Sequence, residues 1–243
     1  MEIVKYKYMG NGKYRVYFPI NDYVLYEDVI LKYNILTKKD ITKEELLKLL
    51  DENNYYEAYN KTLKYLAQRT RSKKEVRDYL TKNEVKKEYI EKIINNLTKN
   101  GYLNDKIFCN LYIKDAINLK DVGPLKIKRE LKGHDIEEKL IDEELKQFTK
   151  DIQIKKIDKY INNKVKINKN KSLAILKQKL LNDLINKGYY REDIISILNN
   201  INIDDEKIKY LEYQKLYNKL SKKYSGSELS YKIKQKLYQK GFR

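Results

Sequence analysis

Apolar positions alternate with polar ones at the start of the chain and then settle into a longer period. Val4, Tyr6 and Tyr8 alternate with Lys5 and Lys7, and Tyr14, Val16 and Phe18 with Arg15 and Tyr17. Gly10-Asn11-Gly12 and Pro19-Ile20-Asn21-Asp22 separate these runs as turn signals, and Tyr23-Val24-Leu25 follows. Period two between Gly, Asn and Pro predicts a small β-hairpin or meander over residues 3–25. From about Glu27 the spacing becomes helical and does not change back. Thr42 with Glu45 is a capping-box signature ahead of Leu46, Leu47, Leu49 and Leu50, and Ser72 with Glu75 is another. No proline follows Pro124, so the remainder is expected to be a series of helices of ordinary length.

The helical part repeats. Arg77-Asp78-Tyr79-Leu80, Lys128-Arg129-Glu130-Leu131, Leu181-Asn182-Asp183-Leu184 and Lys234-Gln235-Lys236-Leu237 each close an amphipathic stretch, with their leucines 51, 53 and 53 residues apart. Three of them are followed by Lys-Gly and a ring: Lys132-Gly133-His134, Lys187-Gly188-Tyr189 and Lys240-Gly241-Phe242. The first copy has Asn83-Glu84 instead, and Lys132-Gly133 stands two residues early relative to the others. A glycine there suits a left-handed helix C-cap, with the ring folding back on the last turn. A third helix follows in three copies, carrying Ile90, Ile93, Ile94 and Leu97, then Ile136, Leu140 and Ile141, then Ile194, Ile195, Ile197 and Leu198. Gly123-Pro124 opens the second copy, the proline preset for a first turn. The expected fold is mainly α: tandem three-helix repeats in an elongated, curved stack behind the small N-terminal β element. Its divisions are residues 1–57, then repeats at 58–118, 119–154 and 155–202, and a partial fourth at 203–243.

Charge changes the picture next. The 243 residues carry 53 Lys+Arg and 35 Asp+Glu, a net of +18. Residues 1–60 are −1 (9 against 10), 61–100 are +7 (12 against 5), 101–151 are −1 (10 against 11) and 152–243 are +13 (22 against 9). Two basic ends around a balanced middle suit a polyanion or an acidic protein surface. The Lys, Asn, Ile and Tyr bias of an AT-rich genome, with lysines only solvating helix faces, is the competing account. One Cys rules out an internal disulfide, and one His excludes multi-His metal sites. The first residues lack the order of a signal peptide, and no stretch has the ~18 apolar residues of a membrane span. The expectation is a soluble, cytoplasmic monomer that contacts no membrane.

Little catalytic chemistry is on offer. His134 has no nucleophile or orienting carboxylate in a recognisable motif and reads as a helix-cap ring. Cys109 follows Phe108 in an apolar helix and reads as packing. Glu137, Glu138, Asp142, Glu143 and Glu144 could in principle hold Mg²⁺ for a nuclease, but on an exposed helix balanced by lysines they read as a solvated face. Gly10-Asn11-Gly12 lacks the Lys-Ser/Thr of a nucleotide loop. No enzyme, metal or cofactor is expected.

Basic residues remain. Arg69, Arg71, Lys73, Lys74 and Arg77 concentrate arginine, the residue favoured for planar recognition of phosphate or carboxylate. The second copy offers Lys126, Lys128, Arg129 and Lys132, and the third Lys177, Lys179 and Lys187, all on or beside the middle helix. Arg71 and Lys73 stand at the mouth of the helix that Ser72 caps, where the dipole favours an anion. Val76 and Leu80 hold the other face, so charge reversal on the exposed side is expected to leave folding intact.

These residues resemble the RecX family, bacterial regulators of the RecA recombinase. The likeness runs from Ala58-Tyr59 through Tyr65-Leu66-Ala67-Gln68-Arg69 and Arg71-Ser72-Lys73-Lys74-Glu75-Val76-Arg77-Asp78-Tyr79-Leu80. It continues to Gly101-Tyr102-Leu103-Asn104-Asp105, Phe108 and Tyr112, then to Gly123-Pro124, Ile127 and Arg129-Glu130-Leu131. The hairpin and four partial repeats resemble the long Gram-positive-type members. Cys109 stands where the family commonly has Ala, and Ala116 where a basic residue is usual. The resemblance implies a non-enzymatic modulator that binds RecA and the groove of the RecA–DNA filament, with single- and double-stranded DNA as further partners. It also implies restraint of strand exchange, ATP hydrolysis and coprotease activity. A stand-alone, sequence-nonspecific DNA-binding helical protein is the alternative, for which phosphate contacts would suffice.

Overall fold

The computed structural model describes residues 1–168, 172–201 and 205–242. The expected meander is there as β1 (Lys5–Gly10), β2 (Lys13–Tyr17) and β3 (Asp22–Tyr26), an antiparallel sheet in chain order. Asn11 and Gly12 turn the first hairpin with positive φ, which the short side chain and the missing one tolerate. Val16 pairs with Tyr6 and Tyr23, and Leu25 with Tyr14, so that one sheet face carries the fully buried Val16 and Leu25. Among the described residues no strand follows Tyr26. Instead come α1 (Glu27–Lys32), α2 (Lys43–Leu66), α3 (Lys73–Lys82), α4 (Lys87–Lys99) and α5 (Asp105–Leu119). Then follow α6 (Pro124–Gly133), α7 (Glu138–Glu144) with a 3-10 turn, α8 (Lys150–Ile167), α9 (Leu173–Asn186), α10 (Arg191–Asn199), α11 (Glu206–Leu220) and α12 (Gly226–Gln239).

The chain divides into two compact units, Met1–Phe108 and Cys109–Arg243. In the first, the Thr42/Glu45 capping box starts α2, a 24-residue helix that serves two cores. Its early turns put Leu46 and Leu49 against the sheet and α1; its later turns put Ala58 against Val76, Leu80, Ile93 and Leu97 of α3 and α4. Between them Asn53 is buried, its carbonyl accepting from Tyr26 N (2.9 Å) and its amide donating to Val24 O (3.1 Å). A buried amide so satisfied locks the sheet edge to the helix. The expected boundaries at 57/58, 118/119 and 154/155 fall inside α2, α5 and α8, and the one at 202/203 lies outside the described residues.

The middle helices α3, α6, α9 and α12 end alike. Four residues after each closing leucine stands a residue with positive φ: Glu84, Asp135, Gly188 and Gly241. The next amide returns to the leucine carbonyl, from Val85 (3.2 Å), Ile136 (3.3 Å), Tyr189 (3.1 Å) and Phe242 (3.0 Å). This is the six-to-one bond of a Schellman ending. The shared feature corrects one reading. Gly133 is the last residue of α6 and is not left-handed; Asp135 is, and the apolar residue that folds back is Ile136 rather than His134. His134 is the C-cap residue, its ring edge-on to Tyr112 at 5.7 Å.

In the second unit the two genuine Lys-Gly-ring endings plug the helix of the preceding copy. Gly123 N donates to Lys187 O (2.8 Å) and Leu125 N to Gly188 O (3.0 Å), so the end of α9 satisfies the first amides of α6. Likewise Ser172, the N-cap of α9, donates its hydroxyl to Lys240 O at the end of α12 (2.6 Å). Helix ends joined this way satisfy orphan carbonyls of one helix at the start of another and set the negative end of one dipole against the positive end of the next.

Candidate partner-binding site

The arginine group lies where expected, on and just before α3, but it is woven into carboxylates. Ser72 Oγ accepts from Glu75 N (3.1 Å), and Glu75 Oε2 accepts from Ser72 N (3.1 Å), completing the capping box. The same Glu75 carboxylate takes two bonds from Arg69 (2.5 and 3.3 Å), which hold the guanidinium above its ordinary pKa. Lys73 N donates to Asp105 Oδ1 (3.1 Å) and its ammonium lies 3.6 Å from the same carboxylate. The helix mouth is thus already closed by acidic groups of the chain itself. Lys74 pairs with Asp78 (3.3 Å) and Arg77 with Glu91 (3.0 Å), both on open surface.

Arg71 departs from expectation. Its side chain is only 10% exposed, with the guanidinium 3.6 Å over the Tyr65 ring and Nε donating to Tyr65 O (3.3 Å). Tyr65 in turn stacks on Tyr79 at 4.1 Å, nearly parallel. Burial against an aromatic face, not display at the helix mouth, is what this arginine does, so reversing its charge would disturb packing. Tyr65 and Asp105 were missed as members of this site. The Gly101-Tyr102-Leu103-Asn104-Asp105 segment carried the signal, since Asn104 also caps α5 by accepting from Lys106 N and Ile107 N.

In the second copy Lys128 bridges Glu138 (2.9 Å) and Asp142 (2.6 Å), and Lys132 holds Glu138 (2.8 Å). Hydrogen bonds from Lys132 and then Lys128 pull the Glu138 carboxyl down to about 2, while Asp142 and then Glu138 raise Lys128. Two members of the acidic cluster are therefore spent on α6, and Glu144 accepts from Asn110 (2.6 Å). Among the described residues no three His, Cys, Asp or Glu side chains converge as metal ligands, and no helix is long and apolar enough to cross a membrane. Lys187 also has structural work: it binds Asp121 (2.8 Å) and lies 4.9 Å over Tyr160. Lys126, Arg129, Lys177 and Lys179 carry no carboxylate partner among the described residues, and Arg129 and Lys179 are exposed. Cys109 is fully buried.

Comparison with known proteins falls in line with this anatomy. Family models described as "RecX, first three-helix domain" and "RecX, second three-helix domain" match residues 58–97 and 104–145. A protein named "Regulatory protein RecX" from Streptococcus gordonii is 32% identical over 226 residues, covering 89% of this chain and 85% of its own. One of the same name from Bacillus cytotoxicus is 31% identical over 241 residues, covering 97% and 87%. A crystal structure of regulatory protein RecX is similar with a TM-score of 0.72 at 21% identity, over 82% of this chain and 99% of that one. The crystal structure of RecX from Lactobacillus salivarius gives 0.57 at 27% identity, over 62% and 99%.

Proposed function

The chain belongs to the RecX family of regulatory proteins, and from that premise we propose that it binds RecA and the RecA–DNA filament and restrains recombinase, ATPase and coprotease activity. It does so without catalysis, metal or cofactor, as a cytoplasmic monomer. The observation that carries the reading is the recurrence of a basic group on the middle helix of successive copies, on side chains the hydrophobic cores do not need. Two kinds of cation share the work. Lys126, Arg129, Lys177 and Lys179 meet phosphates directly, since among the described residues no internal ion pair must first be broken. Arg69, Lys73, Lys74, Arg77, Lys128 and Lys132 exchange their internal carboxylates for those of a protein partner, a trade between solvent-screened surface pairs that costs little. Arg71 contributes by holding Tyr65 and the start of α3 in place. The division into an N-terminal element and four repeats, bounded near residues 57, 118, 154 and 202, belongs to the same proposal.

The test is a titration into a recombinase–single-stranded DNA ATPase assay. Hydrolysis falls as the protein is added. Unchanged hydrolysis, with binding to bare DNA that collapses at moderate salt, would favour the stand-alone DNA-binding reading instead.

A further inference from the structure

The α11–α12 pair is built from two different surfaces. Its inner side is a closed cluster of Leu216, Leu229, Ile233, Leu237 and Phe242. Its outer side is tyrosine and lysine. Residues 206–240 contain ten lysines and three glutamates, a net of +7 (10 − 3). Two of those glutamates are already taken, Glu206 by Lys209 (3.2 Å) and Glu212 by Lys240. Tyr210, Tyr213 and Tyr217 follow one stripe of α11 at helical spacing, the last two with rings stacked 6.3 Å apart. Gln214 Nε2 donates to the Tyr210 hydroxyl (2.8 Å) and fixes that ring from its own helix. On α12, Tyr231 and Tyr238 are seven residues apart and face away from the core, 64% and 72% exposed.

Two open grooves use these rings. One, of about 570 Å³, is lined by Lys209 of α11 and by Tyr231, Lys234, Tyr238 and Phe242. The other, of about 520 Å³, is lined by Glu206, Lys207, Tyr210 and Leu211. Both therefore take in the first turns of α11, each with an aromatic wall and a lysine beside it.

We infer that this face of α11 and α12 stacks the bases of an unpaired nucleic-acid strand, with Tyr210, Tyr231 and Tyr238 as platforms and the neighbouring lysines on its phosphates. The assignment rests on the reading that the protein meets DNA, and it adds where and in which form. A protein partner fits less well, because lysine is depleted in the cores of protein interfaces whereas here Lys209 and Lys234 line one groove and Lys207 the other. A duplex fits less well, because its base faces are covered by their neighbours. An unpaired strand offers what the surface asks for: a π-face for each ring and a phosphate for each ammonium.

The experiment uses the full chain and no recombinase, so its failure is distinct from failure of the ATPase titration. The probes are a fluorescein-labelled oligothymidylate carrying 5-iododeoxyuridine and a blunt duplex of the same length. Irradiation of the complex with the unaltered chain yields adducts at Tyr210, Tyr231 or Tyr238, located by mass spectrometry. Because stacking is worth about 1–3 kcal/mol per base and two platforms are lost, Tyr231→Ala with Tyr238→Ala weakens oligothymidylate binding about 30-fold or more. The corresponding double Phe variant stays within about twofold, since the ring is kept and only the hydroxyl is removed. Duplex affinity changes little in either. Adducts elsewhere, an Ala variant that binds the oligonucleotide like the parent, or an equal loss with duplex would each overturn the inference. So would an Ala variant that keeps oligonucleotide binding yet loses its effect on the recombinase, which assigns the face to protein. Should the Ala variant melt lower, the adduct map on the unaltered chain decides.

Discussion

Gly133 and Gly188 occupy the same Lys-Gly-ring motif, and replacing each with alanine is expected to move stability in opposite directions. Gly188 has φ +86, and a Cβ there would lie 2.6 Å from Lys126 Cβ, 3.0 Å from its Cα and closer still to its amide nitrogen. The obstacle is helix backbone, which cannot swing aside. Forcing a left-handed alanine costs about 1–2 kcal/mol, and overpacking adds about 1–3. Parting the helix ends weakens the Gly123–Lys187 and Leu125–Gly188 bonds, at roughly 0.5–1.5 kcal/mol each. Gly188→Ala should therefore cost about 3 kcal/mol or more, which at about 2–4 °C per kcal/mol lowers the melting temperature by about 6 °C or more. Gly133 is the last residue of α6, with nothing within 4 Å of an added Cβ and no left-handed φ. Gly133→Ala should gain about 0.5–1 kcal/mol, because alanine loses less backbone freedom in a helix. Urea unfolding followed by circular dichroism measures both, and hydrogen exchange of the α6 and α9 amides locates the loss. A Gly188→Ala protein as stable as the parent, or a Gly133→Ala protein equally damaged, would refute the head-to-tail account.

Three further outcomes follow from the site. Arg71→Glu removes a guanidinium packed on Tyr65 and places a carboxylate there, so thermal unfolding should show a loss of about 2 kcal/mol, whereas Arg77→Gln, on an open surface pair, should stay within about 1. Equal melting temperatures for the two variants would contradict the buried role of Arg71. The depressed Glu138 pKa makes its contribution to stability full above the ordinary value of 4.5 and lost as pH falls through about 2. A carbon-13 NMR titration should find that carboxyl still ionised at pH values where free glutamate is protonated, and Lys132→Gln should raise its midpoint. Replacing Lys126, Arg129, Lys177 and Lys179 together by Gln should weaken DNA binding to all sequences alike, and the salt slope should fall by about 0.9 for each phosphate that is no longer neutralised. An unchanged slope would place the DNA-binding surface elsewhere.

The placement of the candidate basic residues was legible along the chain because each copy's members lie on or beside one helix. Ser72 with Glu75, and Lys74, Arg77, Lys128 and Lys132 on or beside the middle helices, follow from helical spacing alone. What spacing could not give is how far each charge is committed. Glu75 reaches Arg69 across the turn before α3, Asp105 reaches Lys73, Glu91 reaches Arg77 and Glu138 reaches Lys128 and Lys132 from other helices, and Arg71 is withdrawn by a ring six residues before it.

The sequence by itself determined the elements: the single change of period near Glu27, the capping boxes at Thr42 and Ser72, and the leucine spacing that marks the four copies. The change of period and the capping boxes act within one turn of helix or one hairpin, where hydrogen-bond reach and side-chain direction depend only on near neighbours, and the leucine spacing is the same local pattern recurring along the chain. Tertiary structure alone decided which of the similar endings are joints. Gly188 is held against the start of α6 and Gly241 against Ser172, while Gly133 meets open space. Those partners lie far away in sequence, so packing between whole helices, and not the local motif, sets what the same three residues do.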